Sequence, residues 1–329
     1  MSVLILTEQE IRACVSIDHD ALKQVESAFD WLASGLVSMP PVMHIEVDHQ
    51  SDVDIKGAYV RGQDAFAVKM ASGFFGNADH GLPSASGMVV MMSAETGFCQ
   101  CVFLDNGYLT DLRTGLAGAV CAQHLAPKEV RTVGVVGAGG QARFQIESLR
   151  LVRDFERLLV HGRSDANVET YITDMAQRLG VEVIRAESLE QLVAESQVVV
   201  TTTQSKEALI CAEWLHPGLH VTAMGSDLPG KQELEPQVLV RADLLVCDSR
   251  SQCAVGGELQ HALSAGILNE SNDVVELGEV TSGKFPGRTD ESQITVSDLT
   301  GTGVQDTAIA LEAYRKAVVQ NMGTSVEGR

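Results

Sequence analysis

Residues 133–142 read Val-Gly-Val-Val-Gly-Ala-Gly-Gly-Gln-Ala. A short apolar strand ends at Gly137, Gly139 follows two positions later, and Ala142 takes the third small position of a G-x-G-x-x-G/A turn. Such a turn lets a backbone approach a pyrophosphate closely, and the helix behind it aims its positive N-terminal end at the phosphates. Short glycine patterns recur by chance, so the flanking elements decide. Beyond the turn, Ala142, Ile146 and Leu149 repeat at helical spacing, with Gln141, Arg143, Gln145, Glu147 and Arg150 on the solvated side. A second strand, Leu158-Leu159-Val160, then runs into His161-Gly162-Arg163-Ser164. That end lies about 20 residues past the glycines, where a dinucleotide site reads the adenosine ribose.

The turn therefore offers Gly137, Gly139, Gly140, Gln141 and Ala142 to a dinucleotide pyrophosphate. An NAD site usually places Asp or Glu at the ribose. Arg163 and Ser164 suit a 2′-phosphate instead, which points to NADP(H) over NAD(H). An Arg163 that only stacks on the adenine would be compatible with NAD(H).

Strands and helices go on alternating. Val168, Tyr171, Ile172, Met175 and Leu179 form a helical stripe that Gly180 ends. Ser188 and Gln191 resemble a capping box. Short apolar runs follow at 181–184, 198–200, 220–224 and 244–247, as expected of strands buried on both faces. Six strands with intervening helices predict a doubly wound parallel sheet of Rossmann type over residues 126–305.

Residues 1–125 read differently. Asp18 or Asp20 can cap a helix that carries Leu22, Val25, Phe29 and Leu32 and ends at Gly35. After Met39-Pro40-Pro41, alternating segments at 44–47, 53–59 and 65–70, with further strands at 89–92 and 100–104, predict an antiparallel sheet. The overall class is α/β: a doubly wound parallel sheet plus a β-rich α+β domain for substrate, with the cleft between them as the default active site. Tyr108–His124 reads as a helix whose Gly115 and Gly118 permit very close packing or close approach to a ligand. Ala308, Leu311 and Tyr314 share helical spacing, so a C-terminal helix over 306–329 is expected to return to the first domain.

Composition narrows the partners. The chain has 329 residues, 45% hydrophobic, and a formal net charge of −20. That balance disfavours nucleic acid and anionic membrane surfaces, whose phosphates it would repel. No apolar run reaches the roughly 18 residues of a membrane span, and the first residues lack a basic signal-peptide region. The expected compartment is the cytoplasm. Seven cysteines without a C-x-x-C pair fit free thiols better than a metal site, so no metal is expected.

Two positions invite chemistry. Arg113, among small neighbours near a helix start, can clamp a carboxylate through its planar fork, or form a structural salt bridge. Asp227 follows the 220–224 strand in a glycine-rich loop, where open α/β sheets bind ligands. A turn or capping aspartate is the alternative there.

Taken in order and spacing, several motifs make the chain resemble the ornithine cyclodeaminase/μ-crystallin family along nearly its whole length. They are Val68-Lys69, Gly81-Leu82-Pro83-Ser84, Thr110-Asp111-Leu112-Arg113-Thr114, the 137–142 turn, Gly225-Ser226-Asp227 with Gly230-Lys231-Gln232-Glu233-Leu234, and Gln305-Asp306-Thr307-Ala308. The stretches 104–111 and 298–306 also look like the cyclodeaminase-like proteins encoded with ectoine-utilisation enzymes. The resemblance implies hydride transfer between a nicotinamide and the Cα of a small amino acid or a cyclic or open imine. It gives Asp227 the acid/base role at the substrate nitrogen, and assigns the substrate carboxylate to Lys69 and Arg113, with Lys69 also a candidate at the reacting centre. It sets Thr114, Thr202 and Ser226 against the cofactor, and implies a homodimer through the first domain. Where many family members carry an Arg after the Pro-Pro segment, this chain reads Val42-Met43-His44, and Lys56 replaces an apolar residue. His44 and Lys56 are therefore expected to alter substrate choice. The same residues serve a reductase or dehydrogenase with net redox, and a cyclodeaminase that returns the hydride and releases ammonia. Retention of Lys69, Arg113 and Asp227 argues against a non-enzymatic, crystallin-like binder.

Overall fold

The computed structural model describes residues 2–269 and 274–327. It divides into two compact units, Met1–Arg113 with Thr302–Arg329, and Thr114–Gly301. The first division falls inside a helix, twelve residues before the boundary at 125 expected from the sequence.

In the first unit the strands are β1 (Ser2–Thr7), β2 (Val37–Ser38), β3 (Met43–Asp48), β4 (Ser51–Val60), β5 (Ala65–Phe74), β6 (Ala85–Ser93) and β7 (Cys99–Leu104). Helices α1 (Glu8–Cys14) and α2 (His19–Ala33) lie between β1 and β2, and α3 (Tyr108–Leu125) follows β7. Asp18 is the cap of α2, accepting from the Ala21 amide at 2.8 Å. The sheet runs from a C-terminal edge strand (Thr324–Glu327) through β1, β7, β6, β5 and β4 to β2, with β3 also on β4. It is antiparallel except where β1 runs parallel to β7. The C-terminal helix, Gly303–Val319, packs on α2, β4 and β5. Small residues allow this: a Cβ on Gly303 would sit 2.8 Å from the Gly57 backbone. Thr307 then locks the contact, its hydroxyl donating to the Ala58 carbonyl at 2.7 Å and accepting from the Ala67 amide at 3.1 Å.

The second unit holds β8 (Thr132–Val136), β9 (Arg157–His161), β10 (Glu182–Arg185), β11 (Val198–Thr201), β12 (Lys206–Ile210), β13 (His220–Ala223), β14 (Gln232–Leu234), β15 (Leu244–Cys247), β16 (Val274–Glu276) and β17 (Thr295–Asp298). Helices α4 (Gly140–Leu149), α5 (Asp165–Leu179), α6 (Leu189–Glu195), α7 (Pro236–Arg241), α8 (Arg250–Gly256), α9 (Leu259–Ser264) and α10 (Leu277–Thr281) intervene, and the C-terminal helix and strand are thus α11 and β18. The main sheet is parallel throughout, in the order β10-β9-β8-β11-β13-β17-β15-β16. Among the described residues it has eight strands, where the sequence predicts six. The missing pair, β16 and β17, includes a central strand, Thr-Val-Ser-Asp, whose polar side chains hide it from a hydrophobicity reading. Val296 joins the core, and the three polar residues are buried because they are hydrogen-bonded: Thr295 Oγ1 lies 2.9 Å from His220 Nδ1, Ser297 Oγ donates to the Val221 carbonyl at 3.4 Å, and Asp298 accepts from the Glu258 amide at 3.0 Å. Gly115 and Gly118 serve close packing. A Cβ at Gly115 would lie 2.6 Å from the Phe144 carbonyl, so α4 rides directly against α3. Gln145, expected in solvent, is buried there and donates to the Thr114 carbonyl at 2.8 Å.

Candidate functional site

The chain reverses its winding between β8 and β11, and at such a switch the strand ends diverge to leave a crevice for a ligand. Gly137 ends β8 with φ +112°, a conformation that favours glycine. A Cβ there would also meet Thr202 Oγ1 at 2.5 Å, so Thr202, just past β11, presses against the turn. Its amide donates to the Val136 carbonyl at 2.9 Å. Gly139 is the N-cap of α4 and offers no side-chain cap, and a Cβ added at Gly139 or Gly140 would meet nothing within 4 Å. The helix thus presents bare amides to open space, which is the chemistry an anionic pyrophosphate needs. The turn fits a dinucleotide.

Arg143, read from the sequence as a solvated residue, braces this turn. Its guanidinium donates to the carbonyls of Ala138 at 3.0 Å and Gly139 at 2.9 Å and to Asp174 at 2.6 Å. Holding those carbonyls on the arginine side leaves the amides to face a ligand. At the end of β9, Arg163 is exposed and, among the described residues, makes no hydrogen bond or ion pair. Ser164 caps α5, accepting from the Asn167 amide at 3.4 Å.

In the first unit, β4 and β5 set Lys56 directly opposite Lys69, on the face covered by α11. Both lysines are buried, although like charges in that register oppose each other. Asp306 of α11 offsets them. Its carboxylate lies 3.1 Å from Lys69 Nζ and 3.0 Å from Arg113 Nε, and Arg113 also donates to Gln305 Oε1 at 3.3 Å. Burial pushes the Asp306 carboxyl up, yet Lys69, Arg113 and Lys56 together hold it below its ordinary range. Burial drives Lys69 down to about 8, against the pull of Asp306 and with help from Arg113 and Lys56. Asp306 lies in the Gln305-Asp306-Thr307-Ala308 motif, and the sequence alone gives it no role. Its signal is an acid at the fourth helical position of α11, directly after the capping-box Gln305 and before the small, apolar run Ala308-Ile309-Ala310. His44 lies on the exposed strand β3, opposite Asp54 of β4 and 2.8 Å from its carboxylate.

Asp227 sits in the loop after β13, 40% exposed, 2.5 Å from Lys231 Nζ. Ser226 is buried beside it, its hydroxyl donating to the carbonyls of Lys231 at 2.9 Å and Gly256 at 3.2 Å. That hydroxyl shapes the loop. Thr114 is buried in α3, where its carbonyl receives Gln145. Lys231 is the partner that the sequence reading missed. Both residues lie in one glycine-containing loop, where spacing alone does not mark a pair.

The model of the ornithine cyclodeaminase/mu-crystallin family matches residues 1–321. The chain belongs to this family. Among solved structures, an archaeal alanine dehydrogenase dimer with bound NAD is 34% identical, with a TM-score of 0.91 and full coverage of both chains. The Δ1-pyrroline-2-carboxylate reductase of Thermococcus litoralis, in complex with NADH and L-proline, is 28% identical over 98% of this chain and all of that one, with a TM-score of 0.93. The iminosuccinate reductase of Paracoccus denitrificans, in complex with NAD+, is 31% identical over 99% and 100%, with a TM-score of 0.91. Family membership carries the fold expected from the sequence along the whole chain. Among the described residues, no helix is long and apolar enough to cross a membrane.

Proposed function

We propose that this protein is a nicotinamide-dependent oxidoreductase that interconverts a small amino acid and its open or cyclic imine. The observation that carries the reading is the buried Lys69–Asp306–Arg113 cluster. Burying three charges costs folding free energy, and the planar fork of Arg113 with the Lys69 ammonium is suited to hold a substrate carboxylate. The similar alanine dehydrogenase and imine reductases act on substrates with that group. A nicotinamide bound at the 137–142 turn supplies or accepts the hydride. The chain's own residues do the rest. Lys69 and Arg113 bind and orient the carboxylate and draw electron density from Cα. Asp227 holds or moves the proton at the substrate nitrogen, and its charge favours an iminium. Gly137, Gly139, Gly140, Gln141 and Ala142 seat the pyrophosphate, with Thr202, Thr114 and Ser226 around the cofactor.

Arg163 and Ser164 favour NADP(H): an exposed guanidinium without a protein partner is available to a 2′-phosphate. Lys56 and His44 are assigned the substrate's far end, where Lys56 favours a polar or acidic group. If Lys56→Met leaves the substrate profile unchanged, that assignment is wrong. The homodimer is supported by the outer face of the first sheet. Val53, Ile55, Met70, Met88 and Val90 are only half-buried there, and Met43 is 59% exposed. An open apolar face of this kind asks for a partner, and a second copy covers it.

A thermal-shift comparison of NAD(H) and NADP(H), followed by imine and amino-acid panels with the better cofactor, tests the reading. Imine-dependent oxidation of the reduced cofactor supports it. Release of ammonia from a diamino acid with no net change in cofactor assigns the cyclodeaminase reaction instead. A chain that binds cofactor and turns over nothing in either panel overturns both.

A further inference from the structure

Glu233 takes no part in the chemistry proposed above, yet it is fully buried at the ends of two strands that carry site residues. One carboxylate oxygen accepts from Thr201 Oγ1 at 2.6 Å and from the Gly225 amide at 2.8 Å, and the other accepts from the Thr203 amide. Thr201 and Thr203 flank Thr202 after β11, and Gly225 stands two residues before Asp227 after β13. The two loops pass so closely that a Cβ on Gly225 would strike both the Thr203 carbonyl and the Glu233 carboxyl.

Glu233 is itself held by a second buried acid. The Glu258 carboxylate accepts from the Glu233 amide at 2.7 Å and the Leu234 amide at 3.0 Å. A third repeats the pattern: Asp298, at the end of β17, accepts from the Glu258 amide at 3.0 Å and the Leu259 amide at 2.9 Å. Each acid thus grips the backbone of the next, and the last grips the two loops. Only a carboxylate satisfies the Glu233 station, because three donors converge on its two acceptor oxygens. A glutamine would turn its own N–H₂ toward one of them.

We propose that Glu233 is a positioning residue for Asp227: it locks the Asp227 loop to the Thr202 loop, with Glu258 and Asp298 holding Glu233 in place. The proposal rests on Asp227 being the acid/base partner of the reaction. An acid that must meet a substrate nitrogen has to be fixed to a fraction of an ångström, and its loop carries glycines at 225 and 230 that do not fix it alone.

The test uses the full chain as Glu233→Gln, with Thr201→Val as a milder variant that removes one bond to the same carboxylate and keeps the side-chain shape. Amide hydrogen exchange and steady-state kinetics with the preferred cofactor are read together. In Glu233→Gln we expect exchange to quicken at 202–205 and 224–231 and not across β8, β9 and β10. We also expect kcat to fall by about 10- to 100-fold with KM and cofactor affinity little moved. Thr201→Val should show the same pattern more weakly, and it decides the matter if Glu233→Gln does not fold. Exchange that quickens uniformly across the second unit overturns the proposal in favour of a plain structural staple. Local loosening with unchanged kcat overturns it as well. If the wild-type chain turns over no substrate, the reading of Asp227 fails and takes the proposal with it, whereas exchange at the two loops still shows whether the lock exists.

Discussion

The Lys69–Asp306–Arg113 cluster and the Glu233–Glu258–Asp298 chain both keep ionisable groups away from water, but with different partners. In the first unit, side chains of opposite sign meet one another. In the second, acidic side chains whose protonated form burial favours each meet backbone amides. Ammonium and guanidinium groups carry three and five donors, so one carboxylate uses only part of their capacity and leaves donors for a ligand anion. A carboxylate gripping two or three protein donors has little capacity left. The first arrangement is built to bind, and the second is built to hold.

The largest expected effect breaks the first arrangement. Asp306→Asn keeps the shape but strands two buried cations, which should cost about 3–5 kcal/mol of stability and remove activity. Urea denaturation measures the loss. A near-neutral result would mean that the cations are offset elsewhere and that the contrast is misdrawn. Asp227→Asn comes next. Its side chain is 40% exposed, so stability and cofactor affinity should hold while kcat drops by about 10²- to 10⁴-fold. Loss of cofactor binding instead would make Asp227 a cofactor ligand.

Acidity separates the two arrangements by sign. Burial drives Asp298 up to about 7, with Asp248 adding to it against two amide bonds. Burial drives Glu258 to about 9, with Asp298 and Glu233 adding to it. A raised acid favours the folded state while it stays protonated, so this stabilisation is complete below about pH 4 and is lost as pH rises through 7 and then 9. Lys69 runs the other way. Its folded value of about 8 lies below the ordinary 10.5, so folding disfavours its charged form. That penalty stands below pH 8 and lifts between 8 and 10.5. Thermal melts of Asp298→Asn should therefore show a shallower decline from pH 5 to 8, and Lys69→Met should lose the alkaline recovery. Matching profiles in wild type and both variants would remove these groups from the pH dependence.

Local features of this molecule were legible in its sequence, and features made by distant partners were not. The 137–142 turn, the Asp18 cap and the Gly180 stop each depend on a few neighbouring residues, and periodicity or backbone chemistry exposes them. Strand β17 was missed because its Thr and Ser are buried through hydrogen bonds to His220, Thr222 and the Val221 carbonyl, which hydropathy does not register. Gln145 and Arg143 looked solvated at helical spacing, but their partners lie on α3, on α5 and in the turn itself. Lys69, Arg113 and Asp227 came from motif spacing, and their roles are proposals still. Asp306, 193 residues from Arg113, had no sequence signal of its pairing.

Arg163 is the charge that fits neither arrangement, because it is exposed and has no partner among the described residues. Its effect should be the smallest and should fall on ligand choice alone. In water a single guanidinium–phosphate contact is worth roughly 1.4 kcal/mol, so Arg163→Ala should weaken NADP(H) binding about tenfold. NAD(H) lacks the 2′-phosphate, so its affinity and the melting temperature without ligand should stay in place. Titration of both reduced cofactors by nicotinamide fluorescence measures this. Equal weakening of the two would make Arg163 an adenine-stacking residue and return the preference to NAD(H). A selective loss would show that a solvated charge sets cofactor choice in this chain, while its buried charges set substrate and loop geometry.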